Sequence, residues 1–408
     1  MTDVIDVEFA RSNFPAFEVP ALKNQAFFEN AGGSYTCMQV IERLEKYYRE
    51  CKVQPYAPYE ASQLAGRQMD ESRARLSAML GVDEDEIGFG PSTTQNAYVL
   101  AQAFRQWLDS GEAIIVTNQD HEANSGPWRR LADSEIEIRE WRINAETGLL
   151  ELEELERLLD DKVRLVCFPH CSNIVGAENP IVEITAISHA AGAFVCVDGV
   201  SYAPHGFINV GDTGPDVYMF SSYKTYGPHQ GIMVIRRSLG EMLPNQGHWF
   251  NAGELYRRFT PAGPDHAQIA ACAGMADYYD SLAKHHGVEG TVAERAKGVH
   301  DLLRAHERII IKPLLDYLST KNSVRLIGPD ETSLKVPTVA VELSIPGIEA
   351  AEKLAAFDIM AGGGDFYGTR PLQALGINID KGVLRLSLVH YNSSDDVDRL
   401  LNALEDVI

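Results

Sequence analysis

Residues 193–237 read AFVCVDGVSYAPHGFINVGDTGPDVYMFSSYKTYGPHQGIMVIRR, and three apolar runs within them decide the fold. AFVCVDG (193–199), VYMFSS (217–222) and GIMVIRR (231–237) are short, β-branched or aromatic, and bounded by turn residues, which is the pattern of buried strands. The first run ends on Asp198 and the second is followed by Lys224, 26 residues later. That spacing leaves room for one crossover and one strand, so the two residues are expected to end neighbouring strands on one edge of a sheet. Lys224 is then either a surface lysine on a polar loop or a lysine placed to react.

The same alternation extends outward. AIIVTN (113–118) and RLVCFP (164–169) read as further buried strands, while ELEELERLLDDK (151–162) and IVEITAISHAAG (181–192) carry apolar residues at helical spacing. Strand-helix-strand order with buried strands implies a mainly parallel sheet covered on both faces. After about residue 260 the pattern changes. PDHAQIAACAGMADYYDSLAKHHG (264–287) reads as one long helix, and residues 292–320 as a second helical region. TVAVEL (338–343), GIEAAEKLAAFDIMAGGG (347–364), GVLRLSLVH (382–390) and DDVDRLLNALEDVI (395–408) suggest a smaller α+β unit. The expected fold is therefore α/β: a large domain with a mainly parallel, mixed sheet flanked by helices, and a smaller α+β domain built from both chain ends. The boundaries are an N-terminal segment (1–25) packing with the small domain, the large domain (26–262), and a linking helix with the small domain (263–408).

The 408 residues carry a net charge of −22, which argues against nucleic acid or an anionic membrane as partner. Phosphate-bearing ligands stay open, because amides at a helix start bind anions without net positive charge. No window approaches 18 uninterrupted apolar residues, so no membrane span is expected. The acidic start MTDVIDVEFARSNFP has no apolar core, so no signal peptide is expected either. The six cysteines are scattered without a CxxC pair, as in a reduced, cytoplasmic protein with no metal site.

Four features fall at strand ends, where open parallel sheets bind ligands. In GFGPSTTQNAYVLAQAF (88–104) a strand runs through a turn into a helix, placing Ser92, Thr93 and Thr94 at a helix N-terminus. One hydroxyl suffices for a cap; three suggest a phosphate. His121 follows the strand AIIVTN, on a loop where most histidines are merely solvated. Asp198 closes a buried strand and needs a partner there, or else caps a local turn. Lys224 is the fourth. A Lys–Asp ion pair explains two of these features; pyridoxal phosphate explains all four. That cofactor needs a lysine for its Schiff base, an acid at the pyridinium nitrogen and an anion site, and a histidine can stack on its ring.

The run DGVSYAPHGFINV…DVYMFSSYKTYGPHQGIMV resembles the fold-type I pyridoxal-phosphate enzymes of the class V aminotransferase group, and within it the cysteine desulfurase branch. The resemblance extends from FFENAGG (27–33) to GVLRLSLVHYNSSDDVDRLLNAL (382–404). It implies that Lys224 is the Schiff-base lysine, that Asp198 pairs with the ring nitrogen, and that His121 stacks on the ring. It places Asn173 near the ring hydroxyl, and Thr93, Thr94, Ser222 and either His205 or Tyr223 near the phosphate and ring edge. Arg385 matches the arginine that clamps a substrate carboxylate, a bidentate task suited to guanidinium. Asn30, Ala31 and Gly32 match the loop at the substrate entrance. Arg370 of YGTRPL is either a second arginine for a dicarboxylic substrate or a surface arginine. The resemblance also implies a homodimer with shared active sites, in which the backbone of Gly263 stands where a partner hydroxyl often caps the phosphate.

Departures from the desulfurase pattern matter as much. Tyr223 stands where desulfurases carry a histidine before the lysine, and Ser201 where they carry a glutamine after the aspartate. The stretch AGGGDFYGTRPLQALG (361–376), which corresponds to their persulfide-cysteine loop, has no cysteine. Cys37 and Cys171, near the site by sequence, are expected to be buried structural thiols. The expected activity is therefore class V aminotransferase-type chemistry on a small-molecule α-amino acid or related amine, rather than persulfide formation. A β-elimination lyase and an epimerase are alternatives, and a pyridoxal-phosphate-binding regulator without turnover is an alternative of another class.

Overall fold

The computed structural model describes residues 4–408, so the first three residues of the expected N-terminal segment lie outside the described residues. Seven strands form the main sheet: β1 (Ile87–Gly90), β2 (Ala113–Thr117), β3 (Glu137–Trp141), β4 (Val163–Pro169), β5 (Phe194–Asp198), β6 (Val217–Ser221) and β7 (Gly231–Ile235). Their spatial order is β1-β7-β6-β5-β4-β2-β3. All pairings are parallel except those of β7 with β6 and β1. The sheet is thus mainly parallel and mixed, as the strand pattern implies. The turn around Gly227-Pro228 returns β7 directly beside β6, and a hairpin must be antiparallel.

Alternation along β6 settles which element covers each face. Val217 and Met219 pack with Ala97, Leu100 and Phe104 of α1 (Thr93–Trp107), whereas Tyr218 and Phe220 face the opposite cluster. The helices α2 (Glu122–Arg129) and α3 (Ile181–Ala190) follow β2 and precede β5 in the crossovers. Asp198 ends β5 and Lys224 follows β6 by one short turn, so both sit at the same edge of adjacent parallel strands.

The expected long helix over 264–287 is two helices, His266–Ala271 and α4 (Ala273–His286). Ser72 is the cause: its buried Oγ donates to the Ala270 carbonyl at 2.8 Å and accepts the Ala273 N–H at 2.9 Å. A side chain inserted into the backbone ladder interrupts it at Cys272. The next helix, α5 (Val292–Ser319), starts on a capping box between Thr291 and Glu294.

A second, wholly antiparallel sheet contains β8 (Arg325–Ile327), β9 (Thr338–Glu342), β10 (Gly362–Gly364) and β11 (Val383–Ser387) in the order β10-β11-β9-β8. Ala26–Phe27 pairs in parallel with Ile359–Met360, and Glu29 bridges to Ser387. Upstream, Phe14 packs edge-on against Tyr391 at 4.8 Å and Arg11 pairs with Asp396. The N-terminal chain is thereby held against β11 and the segment that follows it. This contact carries Glu29 to the side of Arg385. Among the described residues no helix is long and apolar enough to cross a membrane.

Candidate active site

Lys224 is 7% exposed and Asp198 5% exposed, at the floor of a cavity of about 520 Å³ and its continuation behind the lysine. Burial pulls the Lys224 amine down to about 8; the nearby Arg385 charge acts the same way, while Asp198 and Glu29 oppose it. Burial pushes the Asp198 carboxyl up to about 6, against the Val200 N–H that its Oδ1 accepts at 2.9 Å and against the Lys224 charge. His121 caps α2, with Nδ1 accepting the Ala123 N–H at 3.0 Å. Burial lowers it to about 4, with Lys224 and Arg385 adding to the effect, so its ring is neutral and carries its proton on Nε2.

Thr93 and Thr94 open α1, and both face the space around Lys224. The Thr93 hydroxyl lies 2.8 Å from that of Ser221, the last residue of β6. This meeting requires glycine at 231. A Cβ there would stand 2.3 Å from the Ser92 carbonyl carbon and 2.5 Å from the Thr93 nitrogen. The helix start, with its free amides and positive dipole end, is thus drawn against the sheet edge beside two hydroxyls, an arrangement suited to an anion.

Arg385 of β11 forms another wall. Its Nη2 donates to Glu29 Oε1 at 2.6 Å and its Nη1 to the Asn173 carbonyl at 3.2 Å. Phe366 lies under the guanidinium, 3.8 Å from ring centroid to Cζ. Asn173 donates through Nδ2 to the Phe366 carbonyl at 3.0 Å, leaving its Oδ1 buried without a donor from the chain. Ala31, Gly32, Ser201 and Tyr223 also face this space.

Other expected residues have partners within the chain or face away. Ser222 starts a turn and its hydroxyl points inward to the Pro228 and Gln230 carbonyls; the serine facing Thr93 is Ser221. His205 lies on the Lys224 side with Ser201 and is buried against Glu307 of α5 at 2.9 Å, which accounts for one of its ring nitrogens. Ser92 caps α1 by accepting the Gln95 N–H at 3.2 Å and does not face the cavity. The Asn30 amide donates to the Ser387 carbonyl at 2.9 Å and its oxygen accepts from Tyr391, so its side chain holds β11 in place. Arg370 is part-exposed and its Nε donates to Glu122 at 3.2 Å. Gly263 lines a separate cavity with Tyr56, Arg73 and Tyr256, away from the Lys224 of its own chain. Conversely, Ser221, Glu29, Phe366 and Glu122 belong to the site without having been singled out. Ser221 was legible: it shares the face of Val217 and Met219, which Ser222 does not.

An open sheet of this order, with a buried lysine and a buried carboxylate at adjacent strand ends, makes the chain a fold-type I pyridoxal-phosphate enzyme in architecture. The family described as aminotransferase class-V matches residues 26–400, and the chain belongs to that family. It is 33% identical to the aminotransferase-like protein FGM3 of Gibberella zeae over 98% of both chains. It is 28% identical to a cysteine desulfurase of Yersinia pseudotuberculosis, again over 98% of both. Two solved structures share the fold: the cysteine desulfurase CsdA of Escherichia coli (TM-score 0.81, 22% identity, 99% of this chain and 98% of that one), and the cysteine desulfurase of Thermococcus onnurineus NA1 (TM-score 0.85, 23% identity, 98% of each). The family depends on pyridoxal phosphate, and the residues present fit it. The α1 amides with Thr93, Thr94 and Ser221 offer donors to a phosphate, and the unpartnered Asn173 Oδ1 awaits a hydroxyl.

Proposed function

We propose that the protein is a pyridoxal-phosphate-dependent enzyme of class V aminotransferase-type chemistry, acting on a small-molecule α-amino acid or related amine. The observation that carries this reading is Lys224, buried beside Asp198 and brought down to about 8. A lysine so depressed is neutral in an appreciable fraction near physiological pH, which both nucleophilic attack and proton removal require.

When bound, the cofactor supplies an electron sink for the charge left as a proton leaves the amine-bearing carbon. The chain's own residues do the rest. Lys224 Nζ would hold the cofactor, and its amine is the base that would take and return that proton. Asp198 would hold the positive charge of the ring nitrogen, and that charge would in turn draw the Asp198 proton off. His121, neutral, provides a flat ring face without adding charge. Thr93, Thr94, Ser221 and the first α1 amides would hold the phosphate, with Ser201 and Tyr223 lining the same space. Arg385 orients a substrate carboxylate.

The same reading does not include a protein-bound persulfide. Such transfer needs a mobile thiolate. All six cysteines are buried, and burial raises the Cys171 thiol well above its ordinary value. We further propose that the chain divides into 1–25, 26–262 and 263–408 and that the protein is a homodimer. The β-elimination reading keeps one support, the 28% identity to a cysteine desulfurase. The deciding experiment mixes the loaded protein with a panel of amino acids, with and without keto acids. Keto-acid-dependent amino transfer supports the proposal, whereas release of ammonia or sulfide without keto acid replaces it with a lyase.

A further inference from the structure

The cavity above Lys224 opens through an aromatic rim. Two of the side chains that line it, Tyr98 and Tyr367, are 43% and 74% exposed. Tyr98 stands one turn beyond Thr94 on α1, so the two share a face and Tyr98 carries that face outward. Arg130 lies over one side of its ring, 5.9 Å from the centroid. Tyr367 comes from a different element, the turn after β10.

Tyr367 is held there against its own preference. Its φ of 55° and the 51° of Phe366 lie in the left-handed region, where glycine is strained least. Backbone contacts explain the shape of the turn: Asn173 Nδ2 donates to the Phe366 carbonyl and the Glu122 N–H to the Tyr367 carbonyl, each at 3.0 Å. They do not explain the choice of side chains. Phe366 has a use within the chain, under the Arg385 guanidinium at 3.8 Å. The Tyr367 ring makes a tilted contact with His121 at 5.6 Å and stays largely in water. A large ring kept exposed on strained backbone at the mouth of a cavity is a surface suited to a ligand.

Charge at this rim is matched internally. Glu122 Oε2 accepts from Arg370 Nε at 3.2 Å, and Glu29 Oε1 from Arg385 Nη2 at 2.6 Å. Both carboxylates that line the cavity thus already have a guanidinium. The exposed aromatic faces are left to recognise what enters.

We infer that Tyr98 and Tyr367 are specificity-determining residues: they select an amine whose far end is a large, flat, uncharged ring, as in an aromatic α-amino acid or the corresponding amine. Such a ring and the two tyrosines remove apolar surface from water together, and the aromatic pairing adds to that gain. A small side chain leaves both tyrosines wet. A charged one loses water to a rim whose carboxylates are already paired. The inference rests on the reading of this cavity as the substrate site of a pyridoxal-phosphate enzyme.

The test uses the loaded wild type, Tyr367→Gly, Tyr367→Phe and Tyr98→Ala. Cofactor uptake is read first, as an absorbance band near ~420 nm. That band is then titrated with L-phenylalanine, L-alanine, L-glutamate and L-arginine, which share an α-carboxylate and differ at the far end. Wild type is expected to bind phenylalanine about tenfold or more tighter than each of the others. Tyr367→Gly removes the ring and relieves the turn, so it should fold at least as stably as wild type yet lose most of that preference. Tyr98→Ala should lose part of it, and Tyr367→Phe, which keeps the ring, should keep it. Wild-type binding of alanine, glutamate or arginine as tight as that of phenylalanine overturns the inference, as does a band that phenylalanine does not move. So does a preference unchanged in both Tyr367→Gly and Tyr98→Ala; a change in their sedimentation alone would assign the rings to contact with a second copy of the chain. A band with no ring preference removes only this inference, whereas absence of the band from wild type removes the cofactor reading together with it.

Discussion

At the scale of single residues, the site holds ionisable groups away from their solution behaviour, and this has measurable costs. Asp198 titrates near 6 in the fold because burial disfavours its charge, against roughly 3.9 in an unfolded chain. A carboxyl raised in this way adds no penalty below about pH 4, where both states are protonated, and a growing one up to about pH 6. Above that the full cost is about 3 kcal/mol. Asp198→Asn keeps the oxygen that accepts the Val200 N–H but has no charge to bury. Without cofactor it should therefore unfold at higher urea than wild type at pH 7–8, with the gap closing toward pH 4. Equal midpoints at pH 8 would contradict the assignment. Lys224 has the opposite sign: its amine is protonated below about 8 and neutral above it. The rate of pyridoxal-phosphate uptake by the cofactor-free protein should accordingly rise through that pH and level off. Lys224→Ala should show no band near ~420 nm at any pH. Arg385→Gln removes a charge that depresses the amine, so its uptake profile should move to higher pH. The sequence identified the lysine and aspartate because both stand at the ends of unmistakable strands. It did not identify Glu29, whose importance lies in a partner 356 positions away.

At the scale of elements, the site depends on two pieces of backbone that no side chain could replace. One is the approach of β7 to the start of α1 at Gly231, where a Cβ would meet backbone atoms of Ser92 and Thr93 at 2.3–2.5 Å. Backbone cannot yield as a flexible side chain does, so Gly231→Ala should push the helix start away from Ser221 and weaken cofactor affinity about tenfold or more. Titration of the band, with circular dichroism to show retained fold, checks this; unchanged affinity would mean that the helix start does not hold the phosphate. The other piece is the turn at Phe366 and Tyr367, both left-handed at φ 51° and 55°. Bulky residues adopt that conformation only when surroundings enforce it. Here Asn173 donates to the Phe366 carbonyl, Glu122 N–H to the Tyr367 carbonyl and Tyr367 N–H to Asp365. Strand positions and the α1 start were readable because they follow from local apolar period and cap chemistry. The turn at 366–367 and the break at Cys272 were not, because both are imposed by residues remote in sequence, Asn173 and Ser72.

At the scale of the whole molecule, the order of the main sheet was beyond local reading, since strand neighbours separated by whole crossovers are chosen by packing rather than by any short segment. The resemblance supplied an expectation that periodicity could not, that of a homodimer. One surface feature bears on that expectation. Trp249 and Phe250 are 85% and 66% exposed, beside the cavity that contains Gly263. Two adjacent aromatic side chains left in water at the rim of a concave surface are the kind of anchor that a protein partner buries. A net charge of −22 on each copy opposes association, and salt screens that repulsion within about 10 Å at 0.1 M. If a second copy covers this surface, the protein sediments as a dimer that tightens from low to moderate ionic strength. The double variant Trp249→Ser, Phe250→Ser should weaken the dimer by about 2 kcal/mol or more per aromatic removed, enough to give monomers at micromolar concentration. A wild type that sediments as a monomer at all salt concentrations, or a double variant that dimerises as wild type does, would assign these aromatics some other role.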